Sequence, residues 1–261
     1  MGAARSKEEL EVFLTNMFND KNILTIKSDI IRSIIASFIV SLRSTAMRYT
    51  SPFAQTAIAR IKKEKIKDVI LLPLYPQYST TTTKSSVEDF IEKSDDQFNI
   101  TIIEPFYKNE LFNKAICDEI VKMQGKYNDF HLIFSAHGLP QKIVDRGDPY
   151  QQQIEEHVEL LKEKLSHYAT NIKSINLAYQ SKVGPMKWLS PSLDNVLKDF
   201  KNEKVIIYPI SFIIDNSETL FELDIEYRQL AQKIGVKEYK VCSCVNHNKT
   251  FVNALKEIIS L

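Results

Sequence analysis

Six short runs of apolar, often β-branched residues recur along the chain, and segments of helix length separate them. Runs that are apolar at consecutive positions predict strands covered on both faces, because a strand with one wet face alternates between apolar and polar residues. The pattern therefore predicts an α/β fold with doubly wound, parallel sheets of the flavodoxin or Rossmann type. The predicted strands are VILLPLYP (69–76), ITIIEPF (100–106), LIFSAHG (132–138), INLAYQS (175–181), VIIYPISF (205–212) and YKVCSCV (239–245).

The length of the chain, 261 residues, suits two domains of modest size. A weak internal echo supports two similar halves, since Lys67–Pro73 resembles Glu203–Pro209. The helical pattern ahead of the third predicted strand is interrupted near Gly125. We therefore predict an N-terminal α/β domain over residues 1–125 and a C-terminal α/β domain over residues 126–261.

Charge and cysteine content exclude several classes of protein. Lysine and arginine number 34 against 33 acidic residues, so a nucleic-acid partner is not expected. Three cysteines without C-x-x-C spacing support neither a disulfide framework nor a zinc site, which indicates a cytoplasmic protein. The most apolar stretch, Ile26–Leu42, contains three charged residues and is shorter than the ~20 apolar residues of a membrane span. Peripheral membrane contact stays open.

His137 follows an apolar strand and precedes a Gly-x-Pro turn. Ligands of open α/β sheets bind beyond the carboxyl ends of the strands, so this imidazole is predicted at the mouth of a crevice. Its ordinary pKa near neutrality suits proton acceptance, and its nitrogen suits a borderline metal such as ferrous iron. A histidine in this position is also commonly a hydrogen-bonding loop residue, and position alone leaves both interpretations open.

Three glutamates follow the fifth predicted strand at intervals of four residues: Glu218, Glu222 and Glu226. On a helix this spacing forms one acidic stripe, which would conduct hydrated cations inward or protons outward if it ran into a ligand crevice. The alternative is structural, with Asp215 capping the helix, Glu218 completing the capping box and the other carboxylates solvated. The spacing alone does not decide between them.

Aromatic and polar residues also cluster after predicted strands, in the segments 48–53, 75–83 and 179–188. Aromatic walls with a few cations and hydroxyls suit a flat apolar macrocycle that carries carboxylate side chains. Trp188, the only tryptophan of the sequence, belongs to the third segment, and its alternative role is packing beneath a loop.

Four long motifs occur in this order along the chain: LPLYPQYSTTTT (72–83), FSAHGLP (134–140), AYQSKVGPMKWL (178–189) and ISFIIDNSETLFELDIEY (210–227). Together they resemble the ferrochelatase family of bacterial type. The resemblance implies a lyase that inserts Fe²⁺ into protoporphyrin IX to form protoheme, the last step of heme biosynthesis. It also implies two similar chelatase-like domains with the porphyrin bound in the cleft between them.

By this resemblance, His137 and Glu218 match the family's catalytic histidine and its partner carboxylate. Because both follow strands whose carboxyl ends share an edge, we expect them to face each other across one cleft. Metal binding is implied for His137, Glu218 and Glu222, and Asp215 is implied as a supporting neighbour. Porphyrin-binding residues are implied at Met1, Arg48, Tyr49, Trp188 and Phe212.

The sequence departs from the family pattern in its first half. The family's strand leading into Met1 is absent, and a much longer family passage is reduced to four residues between Leu42 and Met47. Deleting central strands leaves backbone groups of their neighbours unpaired. We therefore expect an incomplete first domain with two full strands, irregular packing of residues 1–68, low stability and weak or absent activity.

No cofactor is expected beyond the substrate Fe²⁺. An iron–sulfur cluster is not expected either, since Cys242 and Cys244 supply at most two of the four ligands that a cluster needs. The expected partners are the porphyrin and ferrous iron, and the sequence does not fix the oligomeric state. Two other functions stay open: a non-catalytic or degenerate porphyrin- or heme-binding protein, and a cobalt or nickel chelatase of the same fold.

Overall fold

The computed structural model describes residues 44–47, 52–125, 129–168, 171–182 and 184–260. Contacts within the chain divide it into two compact units. The first contains the described residues up to Pro73 together with Thr81–Glu104. The second contains Leu74–Thr80 and the described residues from Pro105 onward.

The first unit contains a two-stranded parallel sheet and two helices among its described residues. Strands β1 (Asp68–Leu71) and β2 (Asn99–Ile102) pair in register, with Val69 opposite Ile100. Helix α1 spans Ala54–Lys63, and a π-helical turn (Thr80–Lys84) leads into helix α2 (Ser85–Ser94). The small core is formed by apolar residues of both helices and both strands: Ala54, Ala57, Ile58, Ile61, Phe90, Ile66, Val69, Leu71, Phe98 and Ile100.

The described part of the first unit agrees with only part of what its sequence predicts. Two strands are present, as expected, but they end at Leu71 and Ile102, because prolines follow shortly after each and cannot donate to a ladder. The expectation of irregular packing is wrong for α1, which is a regular helix with four buried apolar residues. Residues 1–43 and 48–51 of that stretch lie outside the described residues.

The second unit is built on a four-stranded parallel sheet in the order β4-β3-β5-β6. The four strands confirm the four that the sequence predicts for this half, with shifted ends. They span Phe130–His137 (β3), Ile172–Gln180 (β4), Lys204–Pro209 (β5) and Glu238–Val241 (β6).

Helices cover both faces of this sheet. Along β3, Leu132 and Phe134 join one buried cluster and Ile133 joins the other, as the two-residue period of a strand requires. The sheet is therefore doubly wound, as predicted. The helices are α3 (Glu110–Gln124), α4 (Gln141–Val144), α5 (Tyr150–Ser166), α6 (Leu193–Val196) with a 3₁₀ turn (Leu197–Phe200), a π-helix (Glu218–Glu226) running into α7 (Tyr227–Ile234), and α8 (Lys249–Ile259).

Two features of these helices bear on the sequence predictions. Helix α3 packs in the second unit, where Phe112 and Ile116 join the same buried cluster as β3, whereas the sequence placed this helix in the first domain. The reason is its apolar face, which fits the sheet of the second unit. Across the described residues, no helix is long and apolar enough to cross a membrane.

The segment Leu74–Thr80, called the strap below, belongs to the second unit although first-unit elements flank it in sequence. Gln77 is buried, and its Nε2 donates to Nδ1 of His157 at 2.8 Å. The other ring nitrogen of His157 donates to Oδ1 of Asn113 at 2.8 Å. Burial lowers the pKa of His157 to about 3, so the ring is neutral. One nitrogen accepts from the strap, and the other fixes the ring to α3.

Asp148 holds the end of the strap. Its Oδ2 accepts from the Ser79 hydroxyl at 2.9 Å and from the main-chain N–H and hydroxyl of Thr80 at 2.7 and 2.6 Å. Its Oδ1 accepts from the N–H of Tyr150 at 3.0 Å. One buried carboxylate therefore joins the strap to the start of α5.

We expect Asp148→Asn to lower the free energy of unfolding by about 1–3 kcal/mol, because the amide replaces an acceptor with a donor among buried donors. Urea unfolding measures this loss. Asp145→Asn is the matched control, since Asp145 is exposed and accepts only from the Gln141 side chain at 3.1 Å. Equal destabilisation by both variants would contradict the role given to Asp148.

Candidate functional site

Three neighbouring strands of the second unit end at one edge of the sheet. His137, the last residue of β3, lies opposite Gln180, the last residue of β4. On the other side β3 pairs with β5 as far as Ser135 opposite Pro209, and the N–H of Ile210 donates to Ser135 at 3.0 Å. Residues that follow β4 and β5 are therefore brought next to His137.

His137 and Glu218 are in direct contact, which confirms that they face each other. Nδ1 of His137 lies 2.7 Å from Oε2 of Glu218. A carboxylate can only accept, so Nδ1 carries the proton and Nε2 is left for another group. Both side chains are partly exposed, at 40% and 34%. The pair therefore holds an oriented imidazole in a partly exposed position.

The charges of this pair are coupled. Burial lowers the pKa of His137, but the hydrogen bond and charge of Glu218 and the charge of Glu222 outweigh it, so the pKa is raised. Burial raises the pKa of Glu218, but the hydrogen bond and charge of His137 and the hydrogen bond of Ser181 outweigh it, so the pKa is lowered. The pair is an imidazolium–carboxylate pair below the pKa of the histidine.

The helix that carries the three glutamates is capped by Asn216 and Thr219. The side chain of Asn216 accepts from the N–H of Glu218 at 2.8 Å, and the hydroxyl of Thr219 accepts from the N–H of Asn216 at 2.9 Å. The structural alternative that the sequence left open, a capping box of Asp215 and Glu218, is therefore not formed. Since Asn216 and Thr219 satisfy these backbone groups, the carboxylate of Glu218 is available to His137.

Ser181 connects the two inner glutamates. Its hydroxyl lies 2.7 Å from Oε2 of Glu222 and 3.1 Å from Oε2 of Glu218. Its N–H donates to Oε1 of Glu222 at 2.8 Å. Ser181 has a φ of +64°, a conformation that non-glycine residues seldom adopt, and this turn follows directly after β4.

The acidic stripe runs from the site to the surface. Glu218 and Glu222 are partly buried, whereas Glu226 is exposed. Glu222 accepts from the N–H of Ser181, and Nε2 of Gln180 lies 3.4 Å from its Oε2. Within the described residues, no group of three or more His, Cys, Asp or Glu side chains could hold a metal ion. Metal binding by His137, Glu218 and Glu222 stays a prediction.

Two predicted porphyrin-binding residues lie beside His137. The Phe212 ring is perpendicular to the imidazole at a centroid distance of 6.5 Å. Trp188 is partly buried and pairs through its backbone with Pro140. A Cβ at Gly138 would lie 2.7 Å from the main-chain oxygen of Gln180 and 3.4 Å from the Trp188 ring, so only glycine permits this close approach.

Asp215 lies behind the site. Its carboxylate accepts from the N–H of Cys244 at 2.9 Å and from Nδ2 of Asn246 at 2.8 Å, while its own N–H donates to Oδ1 of Asn246 at 2.9 Å. It therefore fastens the turn ahead of the π-helix to the loop after β6.

Burial raises the pKa of Cys242 and Cys244, so both are thiols rather than thiolates.

Met1, Arg48 and Tyr49 lie outside the described residues, so their predicted contact with porphyrin is not tested. Ser181 lies in the third motif without an assigned role, although its place after β4 was a signal. The roles of Tyr150 and Ser211, whose hydroxyls contact the backbone of His137, were also missed. Ser211 lies in the fourth motif, whereas Tyr150 lies in none.

Comparison with known proteins gives one family. The ferrochelatase family profile matches residues 43–261. The ferrochelatase of Sulfurimonas denitrificans is 44% identical over 301 residues, which covers 99% of this chain and 95% of that protein. The ferrochelatase of Wolinella succinogenes is 41% identical, with 100% and 96% covered, and that of Helicobacter pylori is 39% identical, with 98% and 90% covered.

The first alignment also bears on the missing passage. It extends over 301 residues whereas this chain has 261, so the relative carries additional residues inside the matched region. This agrees with an internal omission, and the place predicted for it, between Leu42 and Met47, stays a prediction.

Solved structures support the fold. SirB from Bacillus subtilis with Fe³⁺ matches with a TM-score of 0.60 and 14% identity, covering 90% of this chain and 92% of that one. The sirohydrochlorin chelatase SirB from Bacillus subtilis subspecies spizizenii with cobalt gives a TM-score of 0.57 and 12% identity, covering 90% and 89%. At such identity the likeness shows the fold alone, and it confirms the predicted chelatase-like α/β class.

We expect NMR titration of the histidine ring protons to give His137 a midpoint above the ordinary 6.5, because Glu218 and Glu222 favour its charged form. Glu218→Gln removes the larger of these contributions and leaves burial in place, so the midpoint should move down. His157 serves as an internal control, since burial lowers its pKa to about 3 and it should stay neutral. A wild-type midpoint for His137 at or below 6.5 would contradict the coupling.

The same shifts fix the sign of the pair's effect on stability. Because the pKa of His137 is raised in the folded state, its charged form adds to the free energy of unfolding. This stabilisation is fully present below the pKa of the unfolded chain and is lost as the pH rises through the folded pKa. Because the pKa of Glu218 is lowered, its charged form adds a stabilisation that is present above its unfolded pKa and is lost as the pH falls through the folded pKa.

Proposed function

Because the chain belongs to the ferrochelatase family, we propose that it inserts Fe²⁺ into protoporphyrin IX and forms protoheme, in the last step of heme biosynthesis. The reaction is that of a lyase. The observation in the site that carries the proposal is the 2.7 Å contact between His137 and Glu218 at the strand ends.

His137 is the proposed proton acceptor. Metallation removes two N–H protons from the porphyrin, and a general base must reach them. With Nδ1–H held by Glu218, the neutral imidazole presents Nε2 to such a proton, and the carboxylate stabilises the imidazolium that forms. The raised pKa of His137 makes it a stronger base than a free imidazole.

Glu218 and Glu222 are proposed to accept protons from His137 and to bind iron as it approaches the porphyrin. Iron must lose water before it enters the ring, and carboxylate oxygens can replace that water. Glu218 and Glu222 share the hydroxyl of Ser181, so proton transfer or metal approach along the π-helix passes from one hydrogen-bonded acid to the next. Glu226 is exposed at the outer end of the stripe and has no role in this proposal.

The porphyrin wall is proposed to include Phe212 and Trp188, which lie beside His137 and Gly138. Aromatic surfaces that fit a bent macrocycle favour the transition state, in which the ring nitrogens face the metal. By the family resemblance, Met1, Arg48 and Tyr49 would add to this wall.

We propose no resident cofactor, since exchange of two protons for Fe²⁺ involves no electron transfer. Porphyrin and ferrous iron are the proposed partners, in a cytoplasmic setting.

An anaerobic assay of the purified full chain tests the function. Fe²⁺ and protoporphyrin IX should react, at a low rate because the first domain is expected to be incomplete, with loss of porphyrin fluorescence and appearance of the protoheme spectrum. Tight porphyrin binding without turnover would instead favour a non-catalytic binding protein. Turnover only with Co²⁺ or Ni²⁺, or only with another tetrapyrrole, would favour a different chelatase.

We expect His137→Ala to lower kcat for iron insertion by about 10²–10⁴-fold, the usual contribution of a general base. Porphyrin affinity, measured by fluorescence titration, should largely survive because aromatic area provides most of it. His167→Ala is the control, since His167 is an exposed histidine at the end of α5. Parallel loss of turnover and porphyrin binding in His137→Ala would count against a role in proton transfer.

We expect a gradient along the acidic stripe. Glu218→Gln should lower kcat most, because Glu218 contacts His137 directly. Glu222→Gln should lower it less, since Glu222 acts through Ser181, and Glu226→Gln should match wild type because a solvated acid contributes little. Steady-state rates of the three variants decide the matter, and equal losses would rule out the gradient.

A further inference from the structure

The backbone of His137 is held by two side chains that have no role in the reaction proposed above. The main-chain N–H of His137 donates to the hydroxyl oxygen of Ser211 at 3.1 Å. Its main-chain oxygen accepts from the hydroxyl of Tyr150 at 2.9 Å. The two hydroxyl oxygens lie 2.7 Å apart, and because the Tyr150 proton is given to His137, the Ser211 hydroxyl donates to the Tyr150 oxygen. Four groups on three residues therefore form a closed hydrogen-bonded ring.

The ring lies where the sheet stops supporting β3. Main-chain pairing between β3 and β5 ends at Ser135 opposite Pro209, two residues before His137. Beyond that point β5 no longer supplies a main-chain acceptor, and the Ser211 side chain takes its place. The catalytic residue would otherwise be tied on one side only, through β4.

Tyr150 is itself fixed. Its side chain is buried, and its main-chain N–H donates to Asp148, which also binds the strap. Burial raises the pKa of Tyr150, so its hydroxyl stays protonated as a donor. The hydroxyls of Tyr179 and Tyr208 are also buried but have no hydrogen-bond partner among the described residues. Burial alone therefore does not give a tyrosine hydroxyl a contact like that of Tyr150.

We propose that Tyr150 and Ser211 are positioning residues, which clamp the backbone of His137 so that its ring meets Glu218 with Nε2 directed outward. The inference rests on the proposed function for its effect on turnover, but not for its effect on the orientation of the His137 imidazole. Neither side chain contacts the reacting nitrogen, and each acts through His137.

Kinetics of Tyr150→Phe and Ser211→Ala give the first test. Each should lower kcat about 10-fold, because a small misplacement of a catalytic group is costly, while the KM for porphyrin changes little. The double variant should lose no more than either single one, since both remove the same unit. Tyr208→Phe is the matched control: it removes a buried hydroxyl without a described partner, on the strand just before Ser211, and should match wild type.

The proton on Nδ1 of His137 gives the second test, which needs no turnover. In protein labelled with ¹⁵N-histidine, its NMR signal should be far downfield in wild type and Tyr208→Phe, and shifted or broadened in Tyr150→Phe and Ser211→Ala. Folded clamp variants with wild-type kcat and an unchanged signal would overturn the proposal. If Tyr150→Phe does not fold, Ser211→Ala decides alone. If even wild type shows no turnover, the proposed function fails, and the Nδ1 signal still decides the clamp.

Discussion

The parallel pairing of β3 with both β4 and β5 is the constraint on which the site depends. Parallel strands end at the same edge, so the residues after three separate strands meet although 74 positions separate His137 from Ser211. The apolar side chains that alternate along β3 fix this register, because a slip of one residue would move each of them from the buried cluster that it fits into the one on the opposite face. Chemistry at the edge is therefore a consequence of packing in the middle of the sheet.

The distribution of hydrogen bonds decides which acids are chemically available. Three carboxylates that follow β5, Asp215, Glu218 and Glu222, lie within a span of eight residues. Each accepts hydrogen bonds from a different part of the structure. Asp215 is occupied by the loop after β6, Glu218 meets the imidazole, and Glu222 is held by Ser181. The side chains of Asn216 and Thr219 cap the start of the helix. The Glu218 carboxylate, whose position would otherwise favour a capping role, therefore stays available to His137.

The sequence predicts the second unit well and its polar contacts poorly. Continuous apolar runs mark the four strands because burial on both faces leaves a local signature, and the rule of strand ends brings His137 and Glu218 together. The roles of Tyr150 and Ser211 depend on where distant backbone groups lose their partners, which no local pattern encodes. The packing of α3 was likewise misplaced, since an apolar helix face does not state which sheet will cover it. The contrast between Asp215 and Asn216 as cap shows the same limit at short range, because both residues are good caps.

The strap makes the second unit discontinuous in sequence. Gln77 reaches His157, and Thr80 reaches Asp148, across 80 and 68 positions, although first-unit elements lie in between. A fragment that starts at Pro105 would carry the whole four-stranded sheet but would leave Asp148 and the imidazole of His157 without their partners on the strap. Dissection of this protein into autonomous pieces must therefore follow hydrogen bonds rather than chain order. A synthetic strap peptide added in trans is the natural complement to such a fragment.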